Sequence, residues 1–253
     1  MNFPGAPLVE ATVVGRLNRF TVGVRLRVPA SDGAEWGPGG GEGHGMSVAH
    51  LPNSGRLKEL LMPGNRCYLR PALVRADGGT VRRTAYDLLL VEHRGGLVCV
   101  DARLPPQVLK EAALAGKVPA FSGYPAVVTE PAFHKPTRFD LRFERPESPP
   151  FWVETKSVTL VRDSTALFPD APTERGARHL DDLRRVVAEG AHAAVVFVIQ
   201  REDARAFAPN IATDPEFAQH LRRARDGGVL VAAWDCQVTP DGTTLGRELP
   251  VLL

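Results

Sequence analysis

Three ionisable residues have types and spacing that would do chemistry together: Asp140 in RFDLRF, and Glu154 and Lys156 in FWVETKSV. Residues two apart on an extended strand share a face, so Glu154 and Lys156 project side by side. Thirteen residues separate Asp140 from Glu154, a length that suits a hairpin turning at Pro146–Pro150. Such a hairpin brings two carboxylates and an ammonium to one sheet edge. Burying these groups is costly unless they pair or hold a metal. Carboxylate oxygens are hard donors suited to Mg²⁺ or Mn²⁺, which keep several waters. An adjacent ammonium positions water or stabilises a phosphoryl transition state, so the set suits metal-dependent phosphodiester hydrolysis. The Thr155 carbonyl is a further candidate ligand. An E-x-K pair on a strand is more often an exposed salt bridge. The apolar flanks here (Phe151, Trp152, Val153, then Val158 and Leu160) weigh against that reading.

Other candidates surround this set. Glu111, on an expected helix, is a candidate third metal ligand or else part of a solvated helix face. Gln200 follows the apolar run HAAVVFVI and either lines the same edge or caps the strand. In FPDAPTERG, Thr173 caps a helix through its hydroxyl and Glu174 suits the positive helix end. Asp170 is left without such a role. Arg175, Arg178 and His179 form either a phosphate-contacting group or an ion-pair face with Asp181 and Asp182.

The elements that must position these residues fall into two groups. Residues 8–100 read mostly as short strands. In TVGVRLRVP, Val22, Val24, Leu26 and Val28 alternate with Gly23, Arg25 and Arg27, giving one apolar and one basic face. GRLKELL reads as about one helical turn. Several short strands with one small helix suggest a Greek-key barrel of the OB type. Arg16, Arg19, Arg25 and Arg27 would then line a nucleic-acid-binding or simply solvated surface. From Pro105 the texture changes to helix, three strands, helix, strand, helix, strand, an α/β arrangement with a mixed sheet. The helix beginning near Thr173 shows an apolar stripe of Ala177, Leu180, Leu183 and Val187.

Composition narrows the function classes. The chain has 253 residues, 43% hydrophobic and 24% charged, with a formal charge of +2. That is mild basicity, so electrostatic arguments rest on local patches. No apolar run reaches membrane-span length and the N-terminus does not read as a secretory signal; cytoplasm and no membrane association are expected. Cys67, Cys99 and Cys236 read as buried core residues. Neither Cys nor His shows metal-ligand spacing, and no G-x-S-x-G occurs. The Gly37–Gly45 run lacks the Lys-Ser/Thr of a phosphate-binding loop and reads as a flexible connection.

Taken together, the segments GRLNRF, AHLPNSGRL, LKEAALAGKVPAF, RFDLRF, VETKSVTL, ALFPDAPTERGARHL and LPVLL resemble the sugar fermentation stimulation protein A (SfsA) family. The resemblance implies an α+β chain: an N-terminal OB-like barrel, expected over residues 1–83, and a PD-(D/E)XK nuclease-like domain with a mixed central sheet over 84–253. It implies DNA binding linked to regulation of sugar metabolism, maltose in particular. It places the acid-acid-Lys set at Asp140, Glu154 and Lys156, and the family's TERG motif at Thr173–Gly176. Three departures are visible: a Gly-rich insertion near 31–45, Val100-Asp101-Ala102-Arg103 in place of an Asn-Thr-Gln type segment, and no Pro before Asp140. Two functions are expected in competition: a Mg²⁺- or Mn²⁺-dependent nuclease on DNA or RNA, and a non-catalytic DNA-binding transcriptional regulator. A binder of oligosaccharide or protein is a third, since OB folds serve all three.

Overall fold

A computed structural model of the chain describes residues 1–3, 7–27, 45–72 and 84–253. Val28 and most of the Gly37–Gly45 run lie outside the described residues. The chain divides into two compact units, Phe3–Asp101 and Ala102–Leu253, the latter joined by Met1–Asn2.

The first unit is a closed barrel. Its strands are β1 (Val9–Asn18), β2 (Thr21–Leu26), β3 (Met46–His50), β4 (Arg66–Pro71), β5 (Tyr86–His93) and β6 (Gly96–Cys99). They run in the order β3-β2-β1-β4-β5-β6, and a parallel β3–β5 pairing at Ala49↔Tyr86 and His50↔Asp87 closes the first five into an OB barrel. Strand alternation fills it: Val22 and Val24 point inward with Ala11, Val13, Leu69, Leu88 and Val91. The boundary at 83/84 is corrected to 101/102, because β5 pairs with β4 from Cys67↔Val91 to Pro71↔Tyr86 and cannot leave the barrel. GRLKELL forms hydrogen-bonded turns rather than a helix, starting from Leu57 at φ 49. Asp101, in the segment that departs from the family pattern, is fully buried and takes Arg70 Nη2 at 3.0 Å. Its role is structural.

The second unit contains α1 (Pro105–Leu114), a 3-10 turn (Pro119–Phe121), β7 (Ala126–Thr129), β8 (Leu141–Glu144), β9 (Phe151–Val158), β10 (Val161–Arg162) and β11 (Thr165–Phe168). Then come α2 (Glu174–Ala188), β12 (His192–Ile199), β13 (Ala206–Pro209), α3 (Pro215–Asp226), β14 (Leu230–Thr239) and β15 (Gly242–Leu249). The main sheet is mixed, in the order β15-β14-β12-β9-β8-β7, with β9, β12 and β14 parallel. A smaller sheet runs β10-β11-β13. The apolar run of β12 is buried from Ala193 to Ile199, as a central parallel strand requires. Thr173 caps α2, its Oγ1 accepting from Gly176 N at 3.0 Å. The buried stripe of α2 is Gly176, His179, Leu180, Leu183 and Val186. Leu180 and Leu183 are buried as expected, but the ends of the expected line, Ala177 and Val187, are only half-buried, and the stripe is instead completed by Gly176, His179 and Val186, which turns a histidine inward.

Candidate metal centre and basic cleft

β9 lies in the middle of the sheet, between β12 and β8. The β8–β9 ladder ends at Leu141↔Val153, so Thr155 has no strand partner on that side. The Asp140 side chain takes the place of the missing strand. Its Oδ2 accepts from Thr155 N at 2.7 Å and Thr155 Oγ1 at 2.6 Å. Extending the register by one residue sets Asp140 opposite Glu154. Glu154 is 5% exposed, and its Oε1 accepts from Lys156 Nζ at 2.6 Å and from His179 Nδ1 at 2.6 Å. Its Oε2 is buried with no hydrogen-bond partner. Arg175 Nε donates to His179 Nε2 at 3.4 Å, which assigns the ring proton to Nδ1.

The two carboxyls are driven apart electrostatically. Burial pushes Asp140 above the usual carboxylate range, and the charge of Glu154 adds to that. Burial also pushes Glu154 upward, but the Lys156 ammonium and the His179 hydrogen bond outweigh it and hold Glu154 below that range. Paired carboxyls displaced in opposite directions are characteristic of functional sites.

Among the described residues, no three carboxylate, imidazole or thiol groups converge as a ready-made metal cage. The donor set is smaller: Asp140 and the unpartnered Oε2 of Glu154. Two carboxylates fit a hard divalent cation that keeps much of its water shell.

Beside this centre opens a cleft of about 690 Å³. Lys135, Arg138, Arg175, Arg178 and Arg185 line it, and His179 also lies on its wall. The two carboxylates in the lining, Asp181 and Asp182, are engaged: Asp182 accepts from Thr137 Oγ1 at 2.5 Å, and Asp181 faces His220 Nδ1 at 3.0 Å. The cleft is cationic and adjoins the carboxylate pair through His179.

Residues 103–242 match the family model described as the sugar fermentation stimulation protein RE domain, and residues 14–100 match the SfsA N-terminal OB domain. A sugar fermentation stimulation protein homolog from Moorella thermoacetica is 42% identical over 248 residues, covering 98% of this chain and 97% of the relative. The homolog from Chloroflexus aurantiacus is 41% identical, with 98% and 86% covered. The chain belongs to the SfsA family. The structure of Pyrococcus furiosus SfsA in complex with Ca²⁺ superposes with a TM-score of 0.83, at 27% identity and over the whole of both chains.

Against this SfsA framework the remaining expected site residues sort themselves by contact. Glu111 is corrected. Its carboxylate lies 3.0 Å from the Met1 amine and accepts from Gln107 Nε2 at 2.9 Å, so it is spent on packing the chain terminus rather than on the carboxylate pair. Gln200 is fully buried and donates to Ser157 Oγ at 2.9 Å, a residue that alternation places on the opposite face from Glu154 and Lys156. His179 is corrected from an outward phosphate contact to a buried partner of Glu154. Its signal was the 179-183-186 spacing of the buried α2 stripe. Arg175 and Arg178 are exposed and line the cleft. Glu174 is exposed in the first turn of α2, and Asp170 is half-buried in the loop leading to it.

In the barrel unit, Arg19, Arg25 and Arg27 are exposed. Arg16 is corrected: its guanidinium donates to the carbonyls of Asn18, Arg19, Gly55 and Arg56, so it clamps two loops. The three cysteines are free and buried, and burial pushes the thiols of Cys67 and Cys236 up to about 12, which fits core residues. No helix among the described residues is long and apolar enough to cross a membrane.

Proposed function

We propose that this SfsA-family chain is a divalent-cation-dependent phosphodiesterase of PD-(D/E)XK type acting on nucleic acid, DNA first and RNA by the same chemistry. One observation carries the reading: Glu154 Oε2 is buried and unpartnered while Oε1 is held by Lys156 and His179. An orphaned buried carboxylate oxygen is expensive, and a cation shared with Asp140 would satisfy it. Mg²⁺ or Mn²⁺ is the expected ion, and the Ca²⁺ bound by P. furiosus SfsA is a hard cation of the same ligand preference. Such an ion, when bound, supplies Lewis acidity and lowers the pKa of water. The protein's own residues do the rest. Asp140 and Glu154 hold the ion, His179 fixes the Glu154 rotamer, and Lys156 supplies an ammonium for the charge that develops on phosphorus oxygens. The guanidinium groups of Arg175 and Arg178 grip the substrate's phosphates.

A second reading is a non-catalytic DNA-binding regulator of sugar (maltose) metabolism. It is favoured by the Lys156–Glu154 ion pair, which neutralises a carboxylate that hydrolysis needs. Incubating the purified protein with single-stranded, duplex and structured DNA and RNA separates the two. Cutting that requires Mg²⁺ or Mn²⁺, and that Lys156→Ala abolishes while sparing binding, supports the nuclease. No metal-dependent cutting of any substrate leaves the regulator.

A further inference from the structure

The cleft beside the carboxylate pair has a shape and a charge that suit one particular part of a strand. Its walls are α2 and the 134–138 loop, which runs alongside the helix. Contacts join the two along their length. Beside the carboxylate centre the Phe139 and His179 rings lie 6.1 Å apart, and midway Thr137 Oγ1 donates to Asp182 Oδ2 at 2.5 Å. At the C-terminal end of α2, His134 Nε2 lies 2.9 Å from Glu189 Oε1. A strand led in from the carboxylate pair therefore meets a bridge at the far end of the groove. The volume of about 690 Å³ falls within the range of small-ligand sites, roughly 300–1,000 Å³, and is too small to admit a duplex. Such a cleft houses the end of a chain better than a chain passing through.

The charges fit an end as well. Of the cleft's cations, Arg138 Nη1 donates to Glu130 O at 2.9 Å, Arg175 Nε to His179 Nε2 at 3.4 Å and Arg185 Nη1 to Asp182 Oδ1 at 3.2 Å. Lys135 and Arg178 have no acceptor among the described residues, and they come from opposite walls, the loop and the helix. A guanidinium fork takes two phosphate oxygens and an ammonium takes one more as a point charge. An internal phosphodiester has only two free oxygens to offer, whereas a terminal phosphate has three. The formal charges agree. Five cations less the two carboxylates of the lining leave an excess of three positive charges. A terminal phosphate brings about 1.5–2 negative charges, and the first diester behind it brings one more. A diester alone leaves most of the excess unmatched.

We infer that this cleft recognises the terminal phosphate of a nucleic-acid strand, held between Lys135 and Arg178, with the next linkage leading towards Asp140 and Glu154. The inference rests on the phosphodiesterase reading for its substrate class, so binding is measured in EDTA, where cutting plays no part. The probes are base-labelled thymidine trinucleotides carrying a 5′-phosphate, a 3′-phosphate or hydroxyls at both ends, short enough to keep contacts outside the cleft few. Anisotropy should show one phosphorylated form bound roughly ten- to hundredfold more tightly than the hydroxyl form, the worth of hydrogen bonds to charged groups. Lys135→Ala and Arg178→Ala, each on an exposed side chain, should cut that preference to under about threefold at an unchanged unfolding temperature, while Lys135→Arg keeps it. Equal affinity for the three probes, or a preference that survives both alanine variants, overturns the inference. So does thymidine 5′-monophosphate binding as tightly as the phosphorylated trinucleotide, since the cleft would then serve a free nucleotide. Metal-dependent cutting with no terminal-phosphate preference leaves the phosphodiesterase standing without this inference, and the preference without cutting does the reverse.

Discussion

Asp140→Asn is expected to make the metal-free protein more stable while removing its response to divalent cations. Burial and the neighbouring charge of Glu154 push the Asp140 carboxyl up. A carboxyl raised by folding costs stability once it ionises, so at neutral pH the native aspartate works against the fold. Asparagine keeps an oxygen for Thr155 N and Oγ1 but carries no charge. Relief of such a site is worth about 0.5–2 kcal/mol. At about 2–4 °C per kcal/mol, that raises Tm by roughly 1–8 °C. The wild type, by contrast, gains about 2.7 kcal/mol from an ion at a hundred times its Kd. Calorimetry near neutral pH, in EDTA and then in Ca²⁺ or Mg²⁺, reads both effects. The variant should lead in EDTA and fail to gain with the ion. An Asp140→Asn protein that unfolds at a lower temperature in EDTA would show that the fold needs this charge, and the reasoning would be refuted. An ion-induced shift equal to that of wild type would remove Asp140 from the ligand set.

The remaining predictions concern the partners of Glu154. Burial raises that carboxyl but Lys156 and His179 outweigh it, so its contribution to stability is full above the unfolded Glu value of about 4.3 and is lost as pH falls through the depressed folded value. Lys156→Met should cost about 3–5 kcal/mol near neutral pH and flatten this acid limb, measured by urea unfolding across pH; a cost under about 1 kcal/mol would mark the pair as an ordinary surface bridge. His179→Ala should weaken Ca²⁺ binding by roughly 10–100-fold, as loss of a ligand's orienting partner does. Calorimetric titration that finds unchanged affinity would reduce His179 to core packing.

How much of this was legible in the sequence depends on the range of each interaction. Period-two and helical spacing exposed the barrel strands, the α2 and α3 helices and the central strand β12, because burial pattern is written locally. The Glu154–Lys156 contact was legible for the same reason, as two residues on one strand face. The boundary was not, since β5 looks like any other apolar strand until its pairing with β4 is known. Glu111 was misread because nothing local announces that the chain terminus lies beside α1. His179 was misread because the α2 stripe is completed on its side, and only Leu183 and Val186 on the same line show it. Arg16 shows the converse error: a cation on a strand reads as a surface charge, although a guanidinium can spend all its donors on loop carbonyls.

The charge balance at the carboxylate centre bears on how many ions the proposed reaction uses. Asp140 and Glu154 bring two negative charges and Lys156 returns one. His179 lies between Glu154 and Arg175, in hydrogen-bond range of both. Asp140, Glu154 and Lys156 together carry a single net negative charge beside a cleft lined by five cationic side chains and two carboxylates. One divalent ion would turn that charge to a net positive one, the complement of a single phosphodiester. A second would have to share the same two carboxylates with Lys156 already 2.6 Å from one of them. An ammonium and a divalent ion about 4 Å apart would repel by roughly 8 kcal/mol at an effective dielectric constant of 20, twice the value for two unit charges. On the proposed reading, one ion held by Asp140 and Glu154 would act with the Lys156 ammonium as the second positive charge of the site.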